Sequence, residues 1–220
     1  MAGPIMRPPR AILFDWDNTL VDGWAAIAGA MNAALDLVGQ PTWTVAETKS
    51  RVRASLRDSF PKLFGSRCEE ATKVFYEHFA ANHLACVRPL IGAGDLLPWL
   101  VERGIYLGIV SNKTGRYLRL EVEHLGWANH FRRVVGAGDA ARDKPAVDPV
   151  DMALAGSGIA RGAEVWFVGD ADIDMDCAVR AGCLPILLRV EAPRAQEFGL
   201  SEPVFHGRDS RDLRRLIEGL

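Results

Sequence analysis

An apolar run, Ala11-Ile12-Leu13-Phe14, stops at two aspartates one residue apart, Asp15 and Asp17. Four apolar residues without polar alternation read as a strand covered on both faces. Strand side chains alternate sides, so residues i and i+2 project the same way. Both carboxylates then aim at one small volume, where like charges repel unless a proton or a cation intervenes. Three further strand-like runs also end in polar residues. Residues 106–110 lead into Ser111-Asn112-Lys113, residues 133–136 are followed by Asp143-Lys144-Pro145, and residues 164–168 lead into Gly169-Asp170, with Asp172 and Asp174 beyond. In an open parallel sheet, ligands bind beyond the carboxyl ends of the strands. Acids, a hydroxyl with an amide, a lysine and acids again would then share one crevice.

Residues 24–38 carry Ile27, Ala30, Met31, Ala34, Leu35 and Val38 at helical spacing and stop at Gly39. Thr44-x-x-Glu47 and Ser66-x-x-Glu69 both fit a capping box, the second opening a helix through Phe75 and Phe79 toward Cys86. Residues 55–60, with Arg57 among them, read as a loop between these helices. So long a strand-free stretch exceeds an ordinary connection between core elements. The pattern therefore predicts a core of residues 1–21 and 89–220, with residues 22–88 inserted as a helical subdomain. Beyond residue 88 strands and helices alternate, with a fifth strand at 184–188 and an edge piece at 204–205. The expected fold is α/β: a Rossmann-like, doubly wound parallel sheet carrying that helical insertion.

The acidic pair, Ser111, Lys144 and the final Gly169-Asp170 with Asp174, in this order over almost the full chain, resemble the haloacid dehalogenase-like superfamily, whose members are mostly phosphatases. The resemblance implies an aspartyl-phosphate on Asp15, with Asp17 as general acid and then base. It implies Mg2+ held by Asp15, Asp170 and a backbone carbonyl of Trp16 or Asp17, the family pattern pointing to Asp17. Asp174 would orient water on the metal or pair with Lys144. Ser111 and the backbone N–H of Asn112 would hold the phosphoryl oxygens while Lys144 neutralises charge. These residue types suit the chemistry. A carboxylate can split phosphoester hydrolysis into two easier steps, and phosphoryl transfer needs clamps on its equatorial oxygens. Mg2+ is commonly held by one or two carboxylates together with phosphate and water. The insertion stands where the family carries its helical cap, and residues 55–60 resemble the site-facing loop of phosphoglycolate phosphatase-like members. Arg57 would then meet a substrate carboxylate bidentately. A phosphoglycolate-like metabolite is the expected substrate, with sugar phosphates, nucleotides and pyrophosphate as alternatives. Asn18 replaces the glycine of many members, and asparagine tolerates the left-handed backbone such a turn requires.

A dehalogenase proper needs no metal and no acid at position 17, so Asp17, Asp170 and Asp174 argue against it. A phosphomutase would share the whole site. A non-catalytic module of the same fold is expected to have lost one of Asp15, Asp17, Lys144 or Asp170, and all four are present. The 220 residues carry a net charge of −2 with both signs mixed, which leaves no basic field for nucleic acid. Arg208, Arg211, Arg214 and Arg215 read as the solvated face of a last helix. No apolar window reaches the roughly 18 residues of a membrane span. Cys68, Cys86, Cys177 and Cys183 form no C-x-x-C pair and read as reduced thiols of a cytoplasmic protein. The five histidines lack ligand spacing and read as core or solvated residues. Residues 1–10 read as a frayed extension. The expected partner is a small phosphoester, with no nucleic acid and no membrane, bound by a monomer or homodimer.

Overall fold

A computed structural model describes residues 6–52 and 54–220. Six strands form one sheet: β1 (Ala11–Phe14), β4 (Tyr106–Thr114), β5 (Arg133–Ala137), β6 (Val165–Gly169), β7 (Leu184–Leu188) and β8 (Phe205–Gly207). They pair in parallel in the order β5-β4-β1-β6-β7-β8. The chain runs outward from β1 through β4 to β5, then crosses back to β6 on the other side of β1. Strand order therefore reverses at β1, the topological switch point at which open α/β sheets bind ligands. Phe14 stands opposite Ile109 of β4 and Val168 of β6, so Asp15, Ser111 and Asp170, one or two residues further along, share one edge.

Burial on both faces explains why β1 and β6 lack polar residues. Ile12, Phe14, Trp166 and Val168 face one cluster with Leu96, Leu100 and Leu213. Ala11, Leu13, Val165 and Phe167 face the other with Val150, Ala153 and Cys177. The covering helices are α5 (Ala93–Glu102), α6 (Gly115–His124), α7 (Asp148–Leu154), α8 (Asp172–Arg180) and α9 (Ser210–Glu218). Each buried Leu, Phe or Ile contributes roughly 1.5–3 kcal/mol relative to exposure, so strands polar on either face would forfeit much of the core. Arg208, just before α9, and Arg211, Arg214 and Arg215 within it pair with Asp209, Asp212 or Glu218. That is the solvated helix face expected of them.

Residues between β1 and the rest form α1 (Trp24–Leu37), α2 (Val45–Arg51), α3 (Leu56–Phe64) and α4 (Cys68–Cys86), entered and left through the antiparallel ribbon β2 (Val21–Asp22) and β3 (Arg88–Pro89). Trp24, Ile27, Met31, Leu35, Phe60, Phe64, Phe75 and Phe79 make a separate apolar cluster there, joined by Tyr117 of α6. The Thr44–Glu47 capping box opens α2 as expected. Three expectations are corrected. Residues 55–60 belong largely to helix α3, because Phe60 and Phe64, one turn apart, give it a buried face. Ser66 does not cap α4; it lies in a 3-10 turn, Gly65–Arg67, while Arg67 at the helix start reaches Glu70 and the Leu37 carbonyl. The frayed extension is in part docked. Residues 1–5 lie outside the described residues, but Met6 packs on the core, Pro9 is buried, and the Arg10 backbone N–H donates to the Glu164 carbonyl. Among the described residues, no helix is long and apolar enough to cross a membrane.

Candidate active site

Asp15 follows directly from β1, and its N–H donates to the Val168 carbonyl of β6 across the switch point. Lys144, on the loop after β5, sends its Nζ to Asp15 Oδ1 at 2.7 Å and to Asp174 Oδ1 at 2.6 Å. Asp170 follows β6, and Asp174 stands in the first turn of α8, its Oδ2 accepting the backbone N–H groups of Asp170 and Ala171. One carboxylate oxygen from each of Asp15, Asp170 and Asp174 lies within 4.8 Å of the others. Gly169 makes this approach possible, since a Cβ there would stand 2.4 Å from the Asp174 side chain. We expect Gly169→Ala to destabilise the fold by about 1–3 kcal/mol through overpacking, as measured by urea unfolding.

Three carboxylates against one lysine leave the cluster short of positive charge. Burial, then repulsion from Asp174 and Asp15, pushes the Asp170 carboxyl up to about 8. Burial raises Asp174 to about 6 against the pull of Lys144. Burial disfavours the charged form of Lys144, but Asp15 and Asp174 outweigh it and hold the ammonium above its ordinary value. A divalent cation among these oxygens relieves the repulsion directly, and an all-oxygen donor set is the one a hard ion takes.

Asn18 has φ 64°, the left-handed turn anticipated for it, and its Nδ2 donates to Asp170 Oδ2 at 2.7 Å. Ser111 is buried on β4 with its hydroxyl accepting the Lys113 N–H. β4 continues to Thr114, with a register shift after Val110, so Ser111 and Asn112 belong to the strand rather than to a turn beyond it. The Asn112 side chain brackets Lys144, accepting its N–H at 3.1 Å and donating to its carbonyl at 3.2 Å. The Lys144–Pro145 peptide is cis.

Asp17 Oδ1 accepts from Lys113 Nζ at 2.9 Å. Burial raises the Asp17 carboxyl to about 6 against the pull of Lys113, with Glu121 and Asp15 adding to the rise. Lys113 also reaches Glu121 Oε2 of α6 at 2.6 Å, and Glu121 Oε1 lies 2.9 Å from His83 Nδ1 of α4. Sequence reasoning did not single out Lys113 or Glu121, and took His83 as a core or solvated residue. The available signal was spacing: Lys113 is two residues beyond Ser111, as Asp17 is beyond Asp15.

Arg57 stands apart from this group. Its Nε pairs with Asp143 Oδ2 at 2.6 Å, next to Lys144 in sequence, while Asp143 Oδ1 accepts the Gly138 N–H. That pair ties α3 to the loop, and Arg57 stands outside the residues that line the cavity, next to Leu56, which does. The cavity, of 570 Å³, is lined by Asp15, Asp17, Ser111, Lys144 and Asp170 on the sheet side and by Trp24, Lys49, Phe75 and Phe79 on the helical side. Arg189, just after β7, lines it too and donates to the Asp170 carbonyl at 3.1 Å.

Residues 12–187 match the model of the haloacid dehalogenase-like hydrolases. A phosphoglycolate phosphatase of Xanthomonas campestris is 31% identical over 181 residues, covering 80% of this chain and 81% of that protein. One from Pseudomonas fluorescens is 28% identical, covering 96% and 79%. Among solved structures, a haloacid dehalogenase-superfamily hydrolase from Ehrlichia chaffeensis is 30% identical, with a TM-score of 0.67 over 98% of both chains. A haloacid dehalogenase-like family hydrolase from Streptococcus pneumoniae, 20% identical, shares the fold with a TM-score of 0.83 over 96% of this chain and 99% of that one. Family model, relatives matched along most of their length and the parallel six-stranded sheet agree: this chain belongs to the haloacid dehalogenase-like hydrolases.

Proposed function

We propose that the protein is a Mg2+-dependent phosphatase that hydrolyses a small phosphorylated metabolite, phosphoglycolate-like in size and charge, through an aspartyl-phosphate on Asp15. One observation carries this reading: a nucleophile-type carboxylate, a lysine and two further acids are held within hydrogen-bond or ion-binding reach of one another at the sheet's switch point. Relatives named phosphoglycolate phosphatases along most of the chain support it.

Mg2+ would be held by Asp15, Asp170 and the backbone carbonyl of Asp17. The Trp16 carbonyl is already taken by the N–H groups of Leu20 and Val21 at 3.0 and 3.2 Å, which favours Asp17 over Trp16. The ion supplies positive charge against the phosphoryl oxygens. Lys144 holds one Asp15 oxygen at Oδ1, which fixes the carboxylate and leaves its other oxygen to attack phosphorus. The bond from phosphorus to the ester oxygen breaks as Asp17 gives that oxygen its proton. Asp17, now ionised, takes a proton from water; the water oxygen attacks phosphorus, and the bond to Asp15 breaks. Ser111 and the Asn112 N–H clamp the phosphoryl oxygens, with Lys144 balancing their charge. An acid near 6 is poised to do both proton transfers around neutrality.

Residues 22–88 act as a cap that excludes water and reads the rest of the substrate. Arg57–Asp143 and the 2.6 Å hydrogen bond between Tyr76 Oη and Thr114 Oγ1 join it to the core. Lys49 from the cap brings positive charge to the cavity and suits a substrate with a second anionic end, while Arg189 lines the cavity already paired with Glu197 at 2.7 Å. A panel of phosphoglycolate, sugar phosphates, nucleotides and pyrophosphate, with and without Mg2+, tests this reading. Phosphoglycolate-like monoesters should turn over fastest, with activity lost to EDTA and restored by Mg2+. Activity indifferent to chelation, or return of the phosphoryl group to a sugar phosphate in place of release, would contradict it.

A further inference from the structure

Trp16, His83, Lys113 and Glu121, from four parts of the chain, meet beside Asp17, and phosphoryl transfer at Asp15 leaves them without a task. Lys113 Nζ bonds Asp17 Oδ1 at 2.9 Å and Glu121 Oε2 at 2.6 Å. Glu121 Oε2 also accepts from Trp16 Nε1 at 2.7 Å, and Glu121 Oε1 stands 2.9 Å from His83 Nδ1. Lys113, Glu121 and His83 are buried, and the Phe79 ring lies 5.4 Å from the Lys113 ammonium and 4.9 Å from the His83 ring. Gly23 leaves room for the contact: a Cβ there would stand 2.8 Å from Asp17 Oδ1 and 3.4 Å from Lys113 Nζ.

A fold has little reason to bury such a group for stability. Removing two charges from water costs several kcal/mol per ion, and well-packed apolar residues of the same volume do as well or better. What the arrangement does supply is direction. A carboxyl on a short side chain can rotate about its Cβ–Cγ bond, and a proton donor facing away from the leaving oxygen is useless. With Oδ1 pinned by Lys113, the second oxygen of Asp17 has one orientation. Lys113 could swing away on its long stem, but Glu121 holds it from the other side. Glu121 is in turn held by Trp16, next to Asp17 in sequence, and by His83, which comes from α4 of the helical insertion.

We propose that Lys113 is a positioning residue for Asp17, braced by Glu121, and that His83 extends this brace to the helical insertion, so the orientation of the acid is set across the boundary between insertion and core. The inference rests on the reading of Asp17 as the acid that protonates the leaving oxygen. An acid turned out of line matters most when the leaving oxygen is basic. An alkyl phosphate needs the proton as its bond to phosphorus breaks, whereas p-nitrophenolate departs without it. Because kcat/KM covers only the steps up to departure of the leaving group, it reports this difference free of the later hydrolysis of the phosphoenzyme.

The test measures kcat/KM of the Mg2+-loaded enzyme on p-nitrophenyl phosphate and on an alkyl phosphate, for wild type, Lys113→Met, Lys113→Arg, Glu121→Gln and Asp17→Asn. Lys113→Met should lose about a hundredfold more on the alkyl than on the aryl substrate, within the range that a general acid contributes. Lys113→Arg should recover most of that difference. Glu121→Gln, which keeps the size of the side chain, should show the same bias about tenfold, and it stands in if Lys113→Met does not fold. Equal losses on both substrates, or no loss, in Lys113→Met and Glu121→Gln would overturn the positioning role. If Asp17→Asn itself shows no bias toward the alkyl substrate, the reading of Asp17 as the acid fails first. A bias in Asp17→Asn alone leaves that reading intact and sinks this inference only.

Discussion

Replacing Asp15 by Asn is expected to lower kcat by about 10⁴-fold or more while the protein stays folded. Removal of the group that forms the covalent bond typically costs this much, because the remaining site can only bind and polarise. The amide has nearly the shape of the carboxylate, so packing beneath β1 is undisturbed. Electrostatics favour the variant, because one of three mutually repelling carboxylates is removed while Lys144 keeps Asp174 at 2.6 Å. Metal-free Asp15→Asn should therefore melt no lower than wild type in circular dichroism. Turnover at a wild-type rate in this folded variant would show that another group attacks phosphorus.

Lys144→Met is expected to damage both stability and activity. The lysine is buried between Asp15 and Asp174, and its removal leaves two buried carboxylates without a counter-charge. Losing one partner of such a group costs about 3–5 kcal/mol, visible as a lower midpoint in urea. The pH dependence has a definite sign. Asp174 and Asp170 have folded pKa values raised to about 6 and about 8, above those of an unfolded chain. Such groups bind protons more tightly in the folded state, so their contribution to stability is fully present below the unfolded pKa. It is lost as pH rises through the folded value. The metal-free variant should be closest to wild type near pH 4 and fall behind as pH rises toward 8. Mg2+ should narrow the gap most at the alkaline end, where the carboxylates are ionised. A deficit independent of pH and of Mg2+ would mean that Lys144 supports the fold by packing alone.

The strands were legible because burial on both faces leaves a plain mark: Ala11–Phe14 and Val165–Gly169 contain no charged side chain. The site residues that end those strands were legible for the same reason, as charge placed where the core does not call for it. What escaped notice lacked that contrast. Lys113 follows two polar residues and resembles a loop lysine until β4 is seen to continue to Thr114. Glu121 lies two residues from both Arg119 and Glu123 in α6, and three-dimensional contact separates it from those exposed charges. Arg57 lies on helix α3, where the local pattern suggests a loop. Phe60 and Phe64 bury one side of α3, and Arg57 is left to pair with Asp143 of the core. Local patterns report burial well, but they do not report which distant charge a side chain meets.

On the proposed mechanism, phosphorus becomes bonded to Asp15 during turnover. Acid quenching of the Mg2+-loaded enzyme during steady-state hydrolysis, followed by proteolysis and mass spectrometry, measures this directly. The peptide bearing Asp15 should gain the mass of one phosphoryl group, chase to the unmodified form when substrate is exhausted, and remain unmodified in Asp15→Asn. Full turnover with that peptide never modified, or with the phosphoryl group on a different side chain, would contradict the account.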